Sequence, residues 1–194
     1  MTEKNSFNMQ GAVRWLRQRK VELTALSVAA ILVVIDQVTK VLIASNFRLF
    51  ESYPVIENVL YLTYIHNPGA VFGSLSGKPY IFNTVTVIVI VIALALMLLG
   101  KIKGNWLKWT TALIISGGAG NMIDRFRLGY VIDFIDVRCF GKLWVWIFNI
   151  ADCCVVIGCM MLIIYFVIDM IKDYKRQKPD KVKTTEQEGD NVNP

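Results

Sequence analysis

Four aspartates are of particular interest, because they stand beside or within apolar segments of the chain, where a carboxylate is rarely tolerated without a reason. They are Asp124, Asp133, Asp136 and Asp152. An ionisable side chain in such a setting costs free energy to desolvate and is by default a functional candidate. Two carboxylates that share a site repel each other, so one is ionised while the other keeps its proton. A pair in these two states can activate a water and protonate a leaving amine, which is the chemistry of amide hydrolysis.

Spacing narrows the choice of acids but leaves two pairs open. Asp152 lies about one turn into the last long apolar run, where a purely structural acid is hard to justify. Asp133 and Asp136 are an odd number of positions apart, so in an extended segment only one of them can face the helices. Asp124 directly precedes Arg125, and an acid beside an arginine is often only an ion-pair partner. On spacing alone, either Asp124 or Asp133 can act together with Asp152.

Other hydrolytic or metal chemistries find little support in the residue inventory. His66 is the only histidine, which excludes the HExxH zinc arrangement and makes a Ser-His-Asp triad depend on one loop residue. Lys40 could serve a serine–lysine dyad, but no serine is obviously in register with it. We predict no metal site, because the cysteines lack the spacing of zinc ligands: Cys139, Cys153, Cys154 and Cys159.

The elements that carry these residues are those of a membrane protein. The 194 residues are 55% hydrophobic and their mean hydropathy is +0.48, which is too apolar for a soluble domain of this size. Four apolar blocks each approach the ~20 residues that cross a ~30 Å hydrocarbon core. We predict an all-α polytopic membrane protein whose single domain covers residues 1–171, with four transmembrane helices at about 23–45, 81–100, 106–123 and 147–171.

Lysine and arginine residues set the predicted orientation. Five precede or open the first block, three lie around the second loop, and six lie in the tail, whereas six fall on the opposite side. By the positive-inside rule, both termini are cytoplasmic. The net charge of +6 therefore reflects topology rather than nucleic-acid binding. The tail at 172–194 is polar and nearly free of aromatic residues, so we expect it to be disordered in the cytoplasm.

The two outer loops carry strand patterns. The first holds a β-prone run from residue 58 that breaks at Asn67-Pro68-Gly69, and the second is β-prone from 130 to 146 with a turn at Gly141. We predict that the loops together form a small extracytoplasmic sheet, a β-cradle on the outer face of the membrane.

Two features within the spans are interpreted as structural. Asp36 and Lys40 lie one helical turn apart and can form an ion pair that orients the first helix. The small residues at 116–120 thin the third span, which favours close helix packing.

Five short motifs together resemble those of lipoprotein signal peptidase, also called signal peptidase II. They are "DQVTK" at 36–40, "NPGAVFG" at 67–73, "GGAGNMIDR" at 117–125, "GYVIDF" at 129–134 and "FNIAD" at 148–152. Each is weak alone, but five in this order, over about residues 23 to 165, are specific to the family. The resemblance implies an intramembrane aspartyl endopeptidase of the bacterial inner membrane. Its substrate is a diacylglyceryl-modified prolipoprotein, and it needs no cofactor.

The resemblance also implies roles for individual residues. The catalytic dyad falls on Asp133 and Asp152, near the outer face of the membrane, which selects Asp133 where spacing did not. We expect the protein to contact membrane lipid and to act as a monomer. The positions implied to bind substrate or support the site are Asn67, Gly69, Asn121, Asp124, Arg125 and Asn149.

A proton-coupled small-solute transporter is the alternative function. It would also keep Asp36, Lys40 and Asp152 inside a small helical bundle. Its carboxylates should cluster near the middle of the bilayer, whereas most of those in this chain lie toward one face. The distribution of acids therefore favours the peptidase.

The predicted topology can be tested with reporters. Tags at residues 1 and 194 should both report cytoplasm, while a reporter inserted near Ser76 should report the opposite side, because the basic residues hold both termini inside. Alkaline phosphatase and fluorescent-protein fusions make the measurement. A cytoplasmic reporter near Ser76 would overturn the arrangement.

Overall fold

The computed structural model of the protein describes residues 19–69, 79–138 and 146–189. Within these ranges the chain forms four helices and four strands. The helices are α1 (Lys20–Asn46), α2 (Pro79–Leu98), α3 (Asn105–Leu128) and α4 (Ile150–Gly189), and the strands are β1 (Ser52–Ile56), β2 (Leu60–Asn67), β3 (Val131–Val137) and β4 (Ile147–Phe148).

Two of the described helices are long and apolar enough to cross a membrane. These are α1 and the part of α4 over Ile150–Arg176, whereas the apolar part of α2 is shorter, at Asn83–Leu98. α3 has Lys108 in its first turn and Asp124 and Arg125 near its end, which lowers its hydropathy. The predicted count of four transmembrane helices is therefore not confirmed.

The helices turn apolar side chains outward and polar side chains inward. Ile31, Val34 and Val156 are more than half exposed, as are many other aliphatic residues of α1, α2 and α4. A lipid environment favours this arrangement, because exposed aliphatic groups match the solvent and polar groups must find partners inside. The buried polar and charged residues include Asp36, Lys40, Ser116, Asn121, Asp124, Asp133 and Asn149.

The start of α4 differs from the predicted span at 147–171. Ile147 and Phe148 form β4, and the helix begins only at Ile150. The Oδ1 atom of Asn149 accepts the backbone N–H of Asp152 at 2.9 Å, and the Asp152 carboxylate accepts the backbone N–H of Asn149 at 3.2 Å. This reciprocal pair of bonds has the pattern of a capping box, and it fixes a helix start that apolar composition does not mark.

The end of α4 also differs from the prediction. The helix continues to Gly189, through most of the tail at 172–194 for which the sequence predicted disorder, and residues 190–194 lie outside the described ranges. Lysine, arginine, glutamine and glutamate dominate this stretch and have high helix propensity. Asp173 and Arg176 add an ion pair at 3.9 Å. A polar sequence that extends an existing helix does not bear the cost of nucleating a new one.

Strands from the two predicted loops form one antiparallel sheet in the order β1-β2-β3-β4. The small sheet predicted from the sequence is therefore confirmed. β2 ends at the predicted break, where Gly69 has a φ of +95°. The register of β2 and β3 sets Ile65 opposite Asp133 and Asn67 opposite Val131. The sheet thus brings the end of the first loop against the segment that carries Asp133.

Glycines in α3 allow the helices to approach closely. A Cβ atom at Gly117 would overlap the carbonyl oxygen of Ala151 in α4. A Cβ atom at Gly120 would lie 2.7 Å from Oδ2 of Asp36 and 3.0 Å from the Cβ of Ala151. Both glycines are therefore required by close contacts, α3 with α4 at the first and α3 with α1 and α4 at the second.

Two alanine substitutions on α3 test this packing. Gly117→Ala should lower the free energy of unfolding by about 1–3 kcal/mol more than Gly118→Ala, since overpacking against a rigid backbone costs about that much. At Gly118 the added Cβ would meet the flexible end of Ile90, which can move aside. Both changes gain the same helix propensity. Denaturant unfolding in detergent measures the difference, and equal effects would contradict the assigned contact.

Candidate active site

Asp133 lies on β3 with both carboxylate oxygens held by amide donors. Its Oδ1 accepts a hydrogen bond from Nδ2 of Asn149 at 2.6 Å, and its Oδ2 accepts one from Nδ2 of Asn67 at 2.9 Å. Only 1% of Asp133 is exposed. The acid is therefore oriented by one donor from the sheet and one from the start of α4.

Asp152 lies in the first turn of α4 and is partly exposed. Its Oδ1 accepts a hydrogen bond from Nδ2 of Asn121 at 2.7 Å, and its Oδ2 accepts the backbone N–H of Asn149. The N-terminal end of a helix favours a negative charge, because its first N–H groups point toward the carboxylate. Asp152 is therefore held by α3 and by its own helix start.

Asn149 connects the two acids. It is fully buried, and its Nδ2 group is also within hydrogen-bond distance of Oδ1 of Asn121, at 3.1 Å, and of the carbonyl oxygen of Ile132, at 3.3 Å. Its Oδ1 accepts the N–H of Asp152. One neutral side chain thus holds Asp133 and Asp152 at one site without adding a charge.

The turn after β2 fixes Asn67. The backbone N–H of Gly69 donates to Oδ1 of Asn67 at 2.9 Å, which leaves the amide nitrogen of Asn67 directed at Asp133. The φ of +95° at Gly69 lies in the left-handed region that side chains disfavour. The glycine therefore permits the turn that aims Asn67.

The surroundings of Asp133 raise its pKa to about 6. Burial is the largest cause, because it penalises the charged form of the carboxyl group. The negative charge of Asp152 raises the pKa further, whereas hydrogen bonds from Asn67 and Asn149 and the positive charge of Lys40 lower it. With this pKa, a minority of the molecules carry a protonated Asp133 at neutral pH.

Asp124 is held in a different manner. Its Oδ2 lies 3.0 Å from Nζ of Lys40 and accepts the backbone N–H of Ile132 at 3.1 Å. Its Oδ1 accepts a hydrogen bond from Gln37 at 3.0 Å. Asp124 thus forms an ion pair with Lys40, and it also lies within electrostatic range of Arg125. An acid that is buried and paired in this way is poorly placed to act on water.

Asp36 and Lys40 form the predicted ion pair, with 2.9 Å between Oδ2 and Nζ. The structure adds what sequence reasoning missed, because Lys40 reaches Asp124 on α3 and Gln37 lies among the same groups. One feature of the sequence could have indicated a role for Gln37, because it is a polar residue inside an apolar segment and stands beside Asp36. Its partner on α3 could not be deduced from that position.

The fourth aspartate belongs to a separate cluster. Asp136 accepts hydrogen bonds from Thr63 at 2.8 Å and from Arg138, whose guanidinium also lies over the ring of Tyr61. This ion pair raises the pKa of Arg138. His66 contacts Tyr64 and stacks on Tyr130. Within the described ranges, no group of three or more histidine, cysteine or acidic residues could hold a metal ion.

A cavity of about 340 Å³ opens beside Asp152. Asn121, Arg125 and Asp152 line its polar end. Arg125 lies within electrostatic range of Asp152, Asp133 and Asp124. The remainder of the lining is mainly aliphatic and comes from α2, α3 and α4: Val85, Val89, Ile90, Ile114, Val155 and Val156.

The fold is that of a membrane enzyme. Its helices turn apolar residues outward, and the acids lie where the helices meet the small antiparallel sheet. Two solved structures described as bacterial membrane enzymes share this fold. One has a TM-score of 0.69 and 35% identity over 76% of this chain and 89% of its own. The other has a TM-score of 0.66 and 36% identity over 74% of this chain and 92% of its own.

The family is more specific than the fold. A family model described as Signal peptidase (SPase) II matches residues 28–168. The lipoprotein signal peptidase of Halothermothrix orenii is 42% identical over 71% of this chain and 91% of its own. The lipoprotein signal peptidase of Moorella thermoacetica is 43% identical over 71% of this chain and 88% of its own. The lipoprotein signal peptidase of Geobacter metallireducens is 37% identical over 79% of this chain and 93% of its own. The chain belongs to the signal peptidase II family, which confirms the resemblance seen in its motifs.

Folding stability should depend on pH through Asp133. Its pKa is raised from 3.8 to about 6 in the folded state, so its contribution is fully present below 3.8 and is lost as the pH rises through about 6. Between about pH 4 and about pH 8, the unfolding free energy of wild type should fall relative to Asp133→Asn by on the order of 3 kcal/mol. Denaturant unfolding at both pH values measures this shift, and a pH-independent difference would contradict it.

Proposed function

We propose that this protein is an intramembrane aspartyl endopeptidase with Asp133 and Asp152 as its catalytic dyad. It removes signal peptides from prolipoproteins whose cysteine carries diacylglycerol, and it cleaves before that cysteine. The observation that carries the proposal is the bonding of one buried asparagine to both acids, since Asn149 donates to Asp133 and exchanges two hydrogen bonds with Asp152. Membership of the signal peptidase II family supports the substrate class.

The chemistry follows from the two environments. Asp152, in ionised form, accepts a proton from water as the water oxygen attacks the carbonyl carbon before the lipidated cysteine. Asp133, whose pKa is raised to about 6 by burial and so lies closer to neutral pH than that of an ordinary carboxyl group, reacts in its protonated form and donates that proton to the carbonyl oxygen. When the C–N bond breaks, Asp152 gives its proton to the departing amine, and a hydroxyl of the intermediate returns one to Asp133. The dyad then regains its starting state.

The proposed substrate binds in the cavity beside Asp152. Its polar end, at Asn121 and Arg125, holds the peptide beside Asp152, and its aliphatic part receives apolar groups of the signal peptide or lipid. Asn67, Gly69 and Asn149 complete the substrate site from the sheet side, while Asp124 has a supporting role. Both acids are already bonded to these amides, so substrate binding does not require them to be reoriented.

The proposed setting is a four-span protein of the bacterial inner membrane with both termini in the cytoplasm. The acyl chains of the lipidated cysteine stay in the bilayer, so the scissile bond is held near the interface. A dyad at the outer ends of α3 and α4 would meet the bond at that depth. One chain carries both acids and their amide partners, which supports a monomer as the active unit.

Three isosteric substitutions test the dyad. Asp133→Asn and Asp152→Asn should each abolish cleavage of a purified diacylglyceryl-modified precursor, because an amide can neither accept nor donate the required proton. Asp124→Asn should retain measurable turnover in the folded protein, because its amide oxygen can still accept the N–H of Ile132. Mass spectrometry of the products gives the rates.

The ranking of the variants decides the assignment. An inactive Asp124→Asn beside an active Asp133→Asn would move the dyad to Asp124 and Asp152. Full turnover by Asp152→Asn would refute the mechanism. Solute movement into vesicles without any cleavage would favour the proton-coupled transporter.

A further inference from the structure

Lys40 lies at the centre of a buried cluster whose charged members take no direct part in the proposed proton transfers. Its Nζ atom lies 2.9 Å from Oδ2 of Asp36, 3.0 Å from Oδ2 of Asp124 and 3.1 Å from Oδ1 of Asn121. These three acceptors match the three hydrogens of an ammonium group. Lys40 is 1% exposed, so the cluster is closed to solvent.

Each carboxylate of the cluster also accepts a hydrogen bond from a backbone N–H. Both N–H donors belong to residues that immediately precede an acid of the proposed dyad. Oδ1 of Asp36 accepts the N–H of Ala151 at 2.9 Å, and Ala151 immediately precedes Asp152. Oδ2 of Asp124 accepts the N–H of Ile132 at 3.1 Å, and Ile132 immediately precedes Asp133. The cluster therefore forms a hydrogen bond with the main chain one residue before each of the two acids.

We propose that Asp36, Lys40 and Asp124 are positioning residues that set the separation of the dyad. This inference rests on the proposed function, since it assumes that Asp133 and Asp152 react together. Asp36 belongs to α1 and fixes the start of α4, while Asp124 belongs to α3 and fixes the start of β3. Lys40 joins the two carboxylates, so the two starts are held in one rigid arrangement from behind the site.

A role limited to orienting α1 does not account for the cluster. An ion pair between Asp36 and Lys40 alone would need no second carboxylate, and adding Asp124 places two buried acids against one cation. Buried ion pairs contribute little net stability, because desolvation offsets their attraction. A reactive pair, by contrast, needs supporting groups that hold it to within about 0.5 Å. Positional precision is therefore the better explanation.

Gly120 gives this arrangement a steric requirement. A Cβ at that position would lie 2.7 Å from Oδ2 of Asp36 and 3.0 Å from the Cβ of Ala151. The missing side chain thus lets Asp36 on α1 reach past α3 to the start of α4. A substitution at Gly120 can therefore disturb the hydrogen bond between Asp36 and Ala151 without changing any charge.

The first experiment compares Asp124→Leu with Asp124→Asn. Both variants remove the same negative charge, but only asparagine keeps an oxygen that can accept the N–H of Ile132. With a fluorogenic diacylglyceryl-modified peptide, kcat per folded enzyme should fall roughly 100-fold in Asp124→Leu while KM changes little, since a misplacement of about 1 Å costs that much. Asp124→Asn should keep most of the wild-type kcat. Equal kcat values in the two variants would overturn the proposal.

The second experiment keeps the proposal testable if Asp124→Leu does not fold. Gly120→Ala should lower kcat per folded enzyme at least roughly 10-fold, again with little change in KM, because it displaces Asp36 from Ala151. Gly158→Ala is the matched control on α4, where the added Cβ would meet Ile114 and Leu113 rather than Asp36 or Ala151. Because Ile114 lines the cavity, KM can change in this variant. It should lower the melting temperature and leave kcat unchanged. A wild-type kcat in Gly120→Ala, or an equal loss in both variants, would refute the positioning role.

Failure of the positioning role can be distinguished from failure of the proposed function. If Asp133→Asn or Asp152→Asn keeps full turnover, the dyad itself is wrong. If both abolish turnover while Asp124→Leu and Gly120→Ala keep the wild-type kcat, only the positioning role fails. A further control is Asp136→Asn, which removes a buried acid from the same strand as Asp133 but from the separate cluster with Arg138. It should leave kcat per folded enzyme unchanged.

Discussion

The rest of the structure depends on satisfying a buried cation. Lys40 lies inside the helices, where an unpaired ammonium group would be prohibitively costly, so carboxylates from two helices and an amide must converge on it. That convergence fixes α1 against α3. Because Asp36 and Asp124 have oxygen lone pairs left over, they also take up the N–H groups at the starts of α4 and β3. One charge thereby organises four elements.

Neutral amides connect this cation to Asp133 and Asp152, the proposed dyad. Asn121 accepts from Lys40 and donates to Asp152, and Asn149 donates to Asp133. An amide can accept on one side and donate on the other, so it orients a carboxylate without adding a charge to the site. The protein therefore separates the task of holding the main chain, done by charges, from the task of aiming the acids, done by amides.

The arrangement of the helices and the sheet agrees with the proposed lipid-anchored substrate. The sheet brings Asn67 and Asp133 over the ends of the helices, while α2, α3 and α4 surround a largely aliphatic cavity that reaches Arg125 and Asp152. Polar groups at one end of an apolar cavity can hold a peptide bond while apolar groups remain below it. The same geometry explains why the acids lie toward one end of the helices rather than at their centre.

The sequence by itself determined the class of the elements and the family. Hydropathy located the start of each helix to within three residues but not the extension of α4 to Gly189. Turn residues located the end of β2, and ordered motifs indicated signal peptidase II. Only the tertiary structure decided which groups pair, because the partners are distant in the chain: Asp36 and Ala151 are 115 positions apart. Spacing treated Asp124 and Asp133 as equals, and their difference arises from Lys40 and Asn149, which lie on other elements. The capped start of α4 likewise depends on side-chain bonds that apolar periodicity does not record.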